Sequence, residues 1–228
     1  MSATPPSVPA PGPLLSPRLL FWAAVLVIGL AAGIGLLLVE ASPHAGSSAL
    51  PLAPGPAATW AAGALRAPDI RLVDENGAPL SLASYRGRPV VVTFIDPLCR
   101  DYCPIEAKHL NEVVRSFPAG KRPAIIAVSV NARGNAREYL LQDAEKWKLV
   151  PQWRWGIGSE PQLTRIWKRY HIGVFVTSKK VAGIVGHDVV HTEASYVVDA
   201  AGYQRAIFLW PYTADAVTRT IRQLAPPS

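Results

Sequence analysis

The stretch "VVVTFIDPLCRDYCPIEAKHL", residues 90–110, joins a continuous apolar run to the only two cysteines of the chain. The run "PVVVTFID" at 89–96 is rich in β-branched residues and predicts a buried central strand. Cys99 then falls in the turn after that strand. Cys103 falls in the first turn of a helix, because Pro104 is tolerated only where its missing N–H is not needed. A helix N-terminus favours thiolate over thiol, so this position predicts reactive cysteines.

The spacing of the two cysteines leaves two uses open. At i and i+4 on one helical face, two sulfurs can bond each other or share one soft metal ion. A purely stabilising disulfide is a weaker explanation, because a bridge that closes so short a loop restricts the unfolded chain very little. The pattern therefore indicates either redox or metal chemistry.

The rest of the chain beyond residue 66 predicts a regular order of elements. A hairpin is expected around "NG" in 68–82, and after the cysteines Ile105, Leu110, Val113 and Val114 fit one face of a helix. Further elements are a buried strand at 124–131, a helix at 135–149, a short strand at 153–155, a helix at 160–170, two strands within 193–209 and an amphipathic helix at 213–224. A βαβ unit followed by a ββα unit is typical of an α/β, thioredoxin-like fold with a mixed central sheet.

The N-terminal quarter predicts membrane attachment. Residues 1–18 are rich in Pro, Ser and Ala and are expected to form a disordered tail. Residues 19–39, "LLFWAAVLVIGLAAGIGLLLV", are long and apolar enough for an N-terminal transmembrane helix. A cleaved signal peptide is the alternative, with small residues at "VEA" 39–41. Residues 40–65 read as a flexible linker, and residues 66–228 as the folded domain, placed outside the cytoplasm because Arg18 flanks the other end of the apolar run.

The net charge of +7 lies in the domain, because Arg18 and Glu40 cancel each other before residue 66. The basic residues are scattered and the domain is expected outside the membrane, so nucleic acid is excluded as a partner. Attraction to anionic lipid or to an acidic protein remains open, beside an ordinary solvated surface.

A soft-metal site needs a third ligand beside two thiolates, and histidine is the usual one. His109 lies six residues beyond Cys103 and is expected on another helical face, at the surface. His171 follows "KRY" and is expected to cap a helix end or to lie in solvent. His191 precedes the strand "ASYVVD", which the predicted fold brings opposite the cysteine loop. Thiol–disulfide oxidoreductases of this fold carry a cis-proline there, and this chain has His191 instead.

These residues resemble the Sco/SenC family of membrane-anchored, thioredoxin-like copper proteins. "VVVTFIDPLCRDYCP" looks like the family's strand and C-x-x-x-C-P motif, "WRWGIGSEPQLTRIWKRYHIGV" is similar to its middle segment, and "HTEASYVVDAAGYQRAIF" resembles its ligand histidine, strand and turn. The chain departs from the family at two positions: Arg100 stands where proline is frequent, and Val190 stands where aspartate is frequent. His187 and Asp188 lie near enough to supply an alternative or supporting role.

The resemblance implies that Cys99, Cys103 and His191 hold copper, as Cu(I) or Cu(II), and pass it to a respiratory oxidase subunit that carries a copper site. The alternative is a thiol–disulfide reductase in which Cys99 and Cys103 are the redox pair that keeps the partner's copper-ligand cysteines reduced. A thiol peroxidase fits less well, because such sites resemble T-x-x-C and here Asp96 stands three residues before Cys99.

Overall fold

The structure, a computed structural model, describes residues 55–181 and 184–224, together with Phe21 and Leu26, which are both helical. For residues 179–181 and 184–187 it describes the backbone only. The chain divides into two units, residues 1–49 and 50–228, and the elements below belong to the second. The predicted tail 1–18, nearly all of the predicted transmembrane helix 19–39, and residues 40–54 of the predicted linker lie outside the described residues. Within the described residues, no helix has the length and apolarity that a bilayer crossing requires.

The described elements follow the predicted order, with one short N-terminal strand and one hairpin added. The strands are β1 Ala58–Thr59, β2 Arg71–Val73, β3 Pro79–Ser81, β4 Val90–Ile95, β5 Ala124–Ser129, β6 Trp153–Gly156, β7 Val174–Val181, β8 Ile184–His191, β9 Ala194–Val198 and β10 Gln204–Leu209. The helices are α1 Tyr102–Arg115, α2 Arg137–Lys146, α3 Glu160–Arg169 and α4 Ala214–Leu224. Short 3₁₀ turns lie at Leu82–Tyr85, Ala119–Lys121 and Ala132–Gly134.

The central sheet is mixed, with the strand order β1-β10-β9-β4-β5-β6. β4 pairs in parallel with β5 and antiparallel with β9, so it occupies the middle of the sheet. All six residues of β4 are buried, which confirms the strand predicted from its unbroken apolar run. The mixed sheet with helices on both faces confirms the predicted α/β class.

Alternate residues of β4 face two different cores, as the pleat of a strand requires. Val90, Val92 and Phe94 pack with α3 and with the β2–β3 hairpin. Val91 and Ile95 pack on the opposite face, among apolar residues of α1, α2 and α4. Because both faces are covered by apolar side chains, the ends of the strands are the part of the sheet left for chemistry.

Two predictions need correction, and one element was missed. The domain does not begin at residue 66, because Ala58 and Thr59 pair with β10 and so belong to the sheet rather than to the linker. Ile105 does not belong to the buried face of α1: it is 47 % exposed, while Leu110, Val113 and Val114 are fully buried. The long antiparallel hairpin of β7 and β8 was not predicted.

Candidate functional site

The pairing of β4 with β9 brings two distant parts of the sequence to the same end of the sheet, where β4 stops and β9 starts. Thr93 near the end of β4 lies opposite Ser195 near the start of β9. Because these strands run in opposite directions, the chain that leaves β4 towards Cys99 meets the chain that enters β9 from His191. The predicted cysteine loop and His191 therefore lie at the same end of the sheet.

Two local hydrogen bonds to Asp96 shape the loop between β4 and α1. The N–H of Cys99 donates to the carbonyl oxygen of Asp96 at 3.0 Å, and the N–H of Leu98 donates to the Asp96 carboxylate at 2.8 Å. A turn of this kind, in which an aspartate side chain accepts from the residue two positions later, needs no tertiary partner. It reverses the chain after β4 and directs Cys99 towards the beginning of α1.

The sulfur of Cys99 accepts hydrogen bonds at the N-terminus of α1. The backbone N–H of Cys103 donates to Sγ of Cys99 at 3.4 Å. The residue before the helix, Asp101, makes no side-chain cap, so the sulfur takes the place of a capping oxygen. The hydrogen bond from the Cys103 thiol, aided by the backbone N–H groups of residues 101–103, lowers the pKa of Cys99 to about 6, although partial burial opposes this shift. Cys99 is therefore mainly a thiolate at neutral pH.

Cys103 has the opposite character. Its side chain is almost fully buried within the core beneath α1. Donation of its thiol proton to Cys99, burial and the nearby negative charges of Cys99 and Glu106 all raise the pKa of Cys103. At neutral pH the pair therefore consists of one partly exposed thiolate and one buried thiol, and both cysteines are free in this structure.

A buried carboxylate one helical turn after Cys103 ties the site together. One oxygen of Glu106, Oε1, accepts from the hydroxyl groups of Thr93 at 2.6 Å, Ser195 at 3.0 Å and Tyr212 at 2.9 Å. Burial raises the pKa of Glu106, and these three hydrogen bonds act against that rise. This cluster links α1, which carries Cys103, to β4, to β9 and to the segment after β10. The cysteine loop follows β4, and His191 precedes β9.

His191 ends β8, three residues before β9 begins. Its Nδ1 lies 3.2 Å from the carbonyl oxygen of Thr192, which can only accept, so Nδ1 carries the proton. Burial lowers the pKa of His191, and the nearby Asp96 carboxylate acts in the opposite direction. The neutral imidazole leaves Nε2 with a free lone pair, which is the form that binds metals.

The structure brings some of the predicted ligands together and leaves others apart. Cys99 and Cys103 are in hydrogen-bond contact, and His191 interacts electrostatically with Asp96 on the cysteine loop. Among the residues whose side chains the structure describes, 55–178 and 188–224, however, no three His, Cys, Asp or Glu side chains converge closely enough to hold one ion.

The other histidines have separate surroundings. His109 is half-buried rather than at the surface: its Nδ1 lies 3.1 Å from the carbonyl oxygen of Tyr212, and its ring packs against Trp210. His171 is exposed at the end of α3, where its backbone N–H donates to the Lys168 carbonyl, as predicted for a helix end. The backbone of β8 places His187 opposite Ser178, four residues before His191.

The sequence analysis did not identify two acidic residues near the cysteine loop and His191. Glu106 shares the spacing of the buried face of α1 with Cys103 and Leu110, which is the signal that could have identified it. Glu193 lies two residues beyond His191, and burial together with the negative charges of Glu106 and Cys99 raises its pKa to about 7. No sequence pattern distinguishes Glu193 from a surface glutamate.

Comparison with known proteins identifies the family. The model of the SCO1/SenC family matches residues 62–226, which is most of the chain and the whole of the sheet beyond β1. The chain belongs to the SCO1/SenC family. A comparison with curated proteins gives no significant match.

Solved Sco structures share the fold. The copper-bound structure of ScoI from Bradyrhizobium japonicum superposes with a TM-score of 0.61 at 18 % identity, over 71 % of this chain and 100 % of that one. Copper-bound ScoI from Arabidopsis thaliana gives 0.60 at 16 % identity, over 70 % and 99 %. BsSco, a member of the Sco family of cytochrome c oxidase assembly proteins in which a disulfide switch has been identified, gives 0.56 at 19 % identity, over 70 % and 93 %. At these identities the likeness establishes a Sco-type, thioredoxin-like fold.

Proposed function

We propose that this protein binds copper through Cys99, Cys103 and His191 and delivers it to the copper centre of a respiratory oxidase during assembly. The observation that carries the proposal is the state of Cys99. Its sulfur is partly exposed and its pKa of about 6 makes it a thiolate at neutral pH, so a soft ligand is available without prior deprotonation.

The donor set fits copper as cargo. Two sulfurs suit Cu(I), and one imidazole nitrogen is acceptable to Cu(I) and Cu(II) alike. In His191 the bond from Nδ1 to the Thr192 carbonyl fixes the tautomer that leaves Nε2 available. Copper is present in the ScoI structures from Bradyrhizobium japonicum and Arabidopsis thaliana, which share this fold.

Binding through all three residues requires a small rearrangement. Because the predicted ligands do not converge in the described part of the chain, the β8–β9 connection and the cysteine loop would approach each other when copper binds. Both segments lie at the end of the sheet where β4 stops and β9 begins. The Cys103 thiol would lose its proton on binding, since only the thiolate is a strong copper ligand.

The proposed site of action is the outer face of the membrane. The apolar segment 19–39 would anchor the protein, and the charge pattern at its ends favours a domain outside the cytoplasm. An anchored domain meets a membrane-embedded oxidase at a high effective concentration, which suits the transfer of a metal ion held by few ligands.

Copper titration of the fully reduced, metal-free protein tests the proposal. Cu(I) is measured by competition with a chromogenic chelator, and Cu(II) by the thiolate-to-copper absorption bands. We expect one copper ion per chain in each case, with loss of binding in Cys99→Ser and Cys103→Ser. Undiminished binding of one copper ion by the Cys99→Ser/Cys103→Ser double variant would contradict the proposal.

A second function is favoured by a separate observation, the unequal pKa values of the two thiols. In thiol–disulfide exchange, the Cys99 thiolate would attack a partner disulfide, form a mixed disulfide and release one partner thiolate. Cys103 would then lose its proton and displace the second partner thiol, so that the partner is reduced and Cys99–Cys103 is oxidised. Reduction of a disulfide-bonded oxidase peptide by the metal-free protein, measured by mass spectrometry, separates this activity from copper transfer.

A further inference from the structure

One buried carboxylate close to the cysteine loop has no hydrogen-bond donor among the described residues. Asp143 lies on α2 and its side chain is fully buried. Neither of its carboxylate oxygens accepts a hydrogen bond in the part of the chain that the structure describes. A buried carboxylate without donors is costly, so its charge must be compensated from nearby.

The compensating charge comes from between the two cysteines. The guanidinium Nη1 of Arg100 lies 3.4 Å from Oδ1 of Asp143. Burial raises the pKa of Asp143, Arg100 is the strongest of the charges that act against this rise, followed by Lys146, and the negative charge of Asp96 adds to it. Arg100 directly follows Cys99 in the sequence. The ion pair therefore connects Asp143 to the residue next to the reactive thiolate.

Arg100 also organises the loop itself. The same Nη1 donates to the carbonyl oxygen of Pro97 at 3.0 Å and to that of Cys99 at 2.8 Å. One nitrogen therefore binds the backbone on both sides of Leu98 while it faces the carboxylate of α2. If Arg100 left this position, both carbonyl bonds would break and the buried Asp143 would lose the strongest of the positive charges that act on it.

We propose that Asp143 is a positioning residue that acts through Arg100: the pair holds the cysteine loop against α2 in the conformation of the dithiol form and so sets the redox equilibrium of Cys99 and Cys103. In the dithiol, Sγ of Cys99 accepts from the backbone N–H of Cys103 at 3.4 Å, whereas a disulfide requires the two sulfurs themselves to approach to about 2.05 Å. Cys103 is fixed by α1, so the Cys99 side of the loop must supply the movement. The contacts of Arg100 resist that movement and favour the reduced pair.

An arginine that donates to two backbone carbonyls and faces a buried carboxylate restricts the cysteine loop through side-chain contacts. The proposal concerns the cysteine pair alone and does not depend on copper binding.

The test is a double-variant cycle on the metal-free, full-length protein in detergent. The equilibrium with reduced and oxidised glutathione is measured by thiol trapping; the pair loses two protons and two electrons, and one glutathione disulfide becomes two glutathione thiols. We expect Asp143→Asn and Arg100→Met each to raise the equilibrium constant for Cys99–Cys103 disulfide formation by roughly three- to tenfold. The double variant should show little more than either single change. Arg100→Lys, which keeps a charge beside Asp143, should stay closer to the unmodified protein than Arg100→Met.

Asp199→Asn is the matched control. Asp199 pairs with Arg205 at 3.3 Å and is also mostly buried. It follows β9 and therefore lies at the opposite end of the strands from the cysteines. This variant should leave the glutathione equilibrium unchanged. The proposal is overturned if Asp143→Asn matches the unmodified protein, if the two single effects simply add in the double variant, or if Asp199→Asn shifts the equilibrium equally. Copper titration of the same variants separates failure of this proposal from failure of the proposed function.

Discussion

The backbone N–H of Cys103 donates to Sγ of Cys99 at 3.4 Å, so the two cysteines stabilise opposite protonation states in each other. Cys99 gains donors from the helix N-terminus and from the Cys103 thiol, which lowers its pKa. Cys103 keeps its proton because it is buried and faces a negative sulfur. One geometric relationship thus yields a partly exposed thiolate and a buried thiol from two cysteines four positions apart.

Alkylation should therefore distinguish the two cysteines. With iodoacetamide, Cys99 of the reduced protein should react first. Its rate should rise with pH through about 6, because the pKa of Cys99 is lowered and the thiolate is the reactive form. In Cys103→Ala the largest cause of the shift is lost, so the midpoint should move upward. Mass spectrometry of the modified peptides across a pH series measures both midpoints.

Cys99→Ala provides the matching control for that experiment. The remaining Cys103 is buried and should react slowly at neutral pH in the folded protein and readily after unfolding in urea. Equal alkylation rates for the two cysteines, or an unchanged midpoint in Cys103→Ala, would show that the hydrogen bond between them is not the cause of the asymmetry.

Glu106 should matter more for stability than its single charge suggests. Glu106→Ala leaves the buried hydroxyls of Thr93, Ser195 and Tyr212 without their common acceptor, so the free energy of unfolding should fall by about 3 kcal/mol. Glu106→Gln keeps an acceptor oxygen and should cost about 1 kcal/mol. Urea titrations followed by tryptophan fluorescence measure both. A smaller loss for Glu106→Ala than for Glu106→Gln would refute the role of the cluster.

His191→Ala should leave the fold and the thiol chemistry intact and weaken Cu(II) binding. A two-thiolate site lacks the nitrogen ligand that Cu(II) favours. The loss should exceed the roughly 10- to 100-fold that removal of a residue supporting a ligand costs. Visible absorption during Cu(II) titration measures it.

The neighbouring histidine of β8 serves as the control for that substitution. His187→Ala should change Cu(II) affinity little, since His191 is the proposed ligand. If His187→Ala abolishes Cu(II) binding and His191→Ala does not, the assignment of the ligand is wrong. If neither matters while both cysteines are needed to reduce a partner disulfide, reductase is the better description.

Residues 19–39 should anchor the protein in the membrane with the domain outside the cytoplasm. Cell fractionation should recover the protein with membranes, resistant to extraction by high salt. Protease added to spheroplasts should degrade the domain. Recovery of a soluble mature chain beginning near Ser42 would instead support the cleaved signal peptide.

Local sequence patterns were sufficient for the elements with one dominant cause. The unbroken apolar run of β4 predicts a buried strand whatever surrounds it, and Pro104 marks the start of α1 because its ring is compatible only with the first helical turn. The family motif around Cys99 and Cys103 is likewise recognisable from consecutive residues alone. Membership in the SCO1/SenC family therefore followed from a short stretch together with one distant histidine.

Features that depend on distant partners could not be predicted in this way. β1 is a strand only because β10 lies beside it. The β7–β8 hairpin is local and was missed for another reason: Ala182 and Gly183, which join its strands in the sequence, are a weak turn signal. Glu106 is a buried acceptor because Thr93, Ser195 and Tyr212 converge on it from three other segments. The Arg100–Asp143 pair and the unequal pKa values of Cys99 and Cys103 arise in the same way. The sequence by itself determined which residues could form strands, helices and a thiol pair, since those depend on neighbours along the chain. Tertiary structure decided which of them carry charge, since the solvation and hydrogen bonding of a buried group depend on neighbours in space.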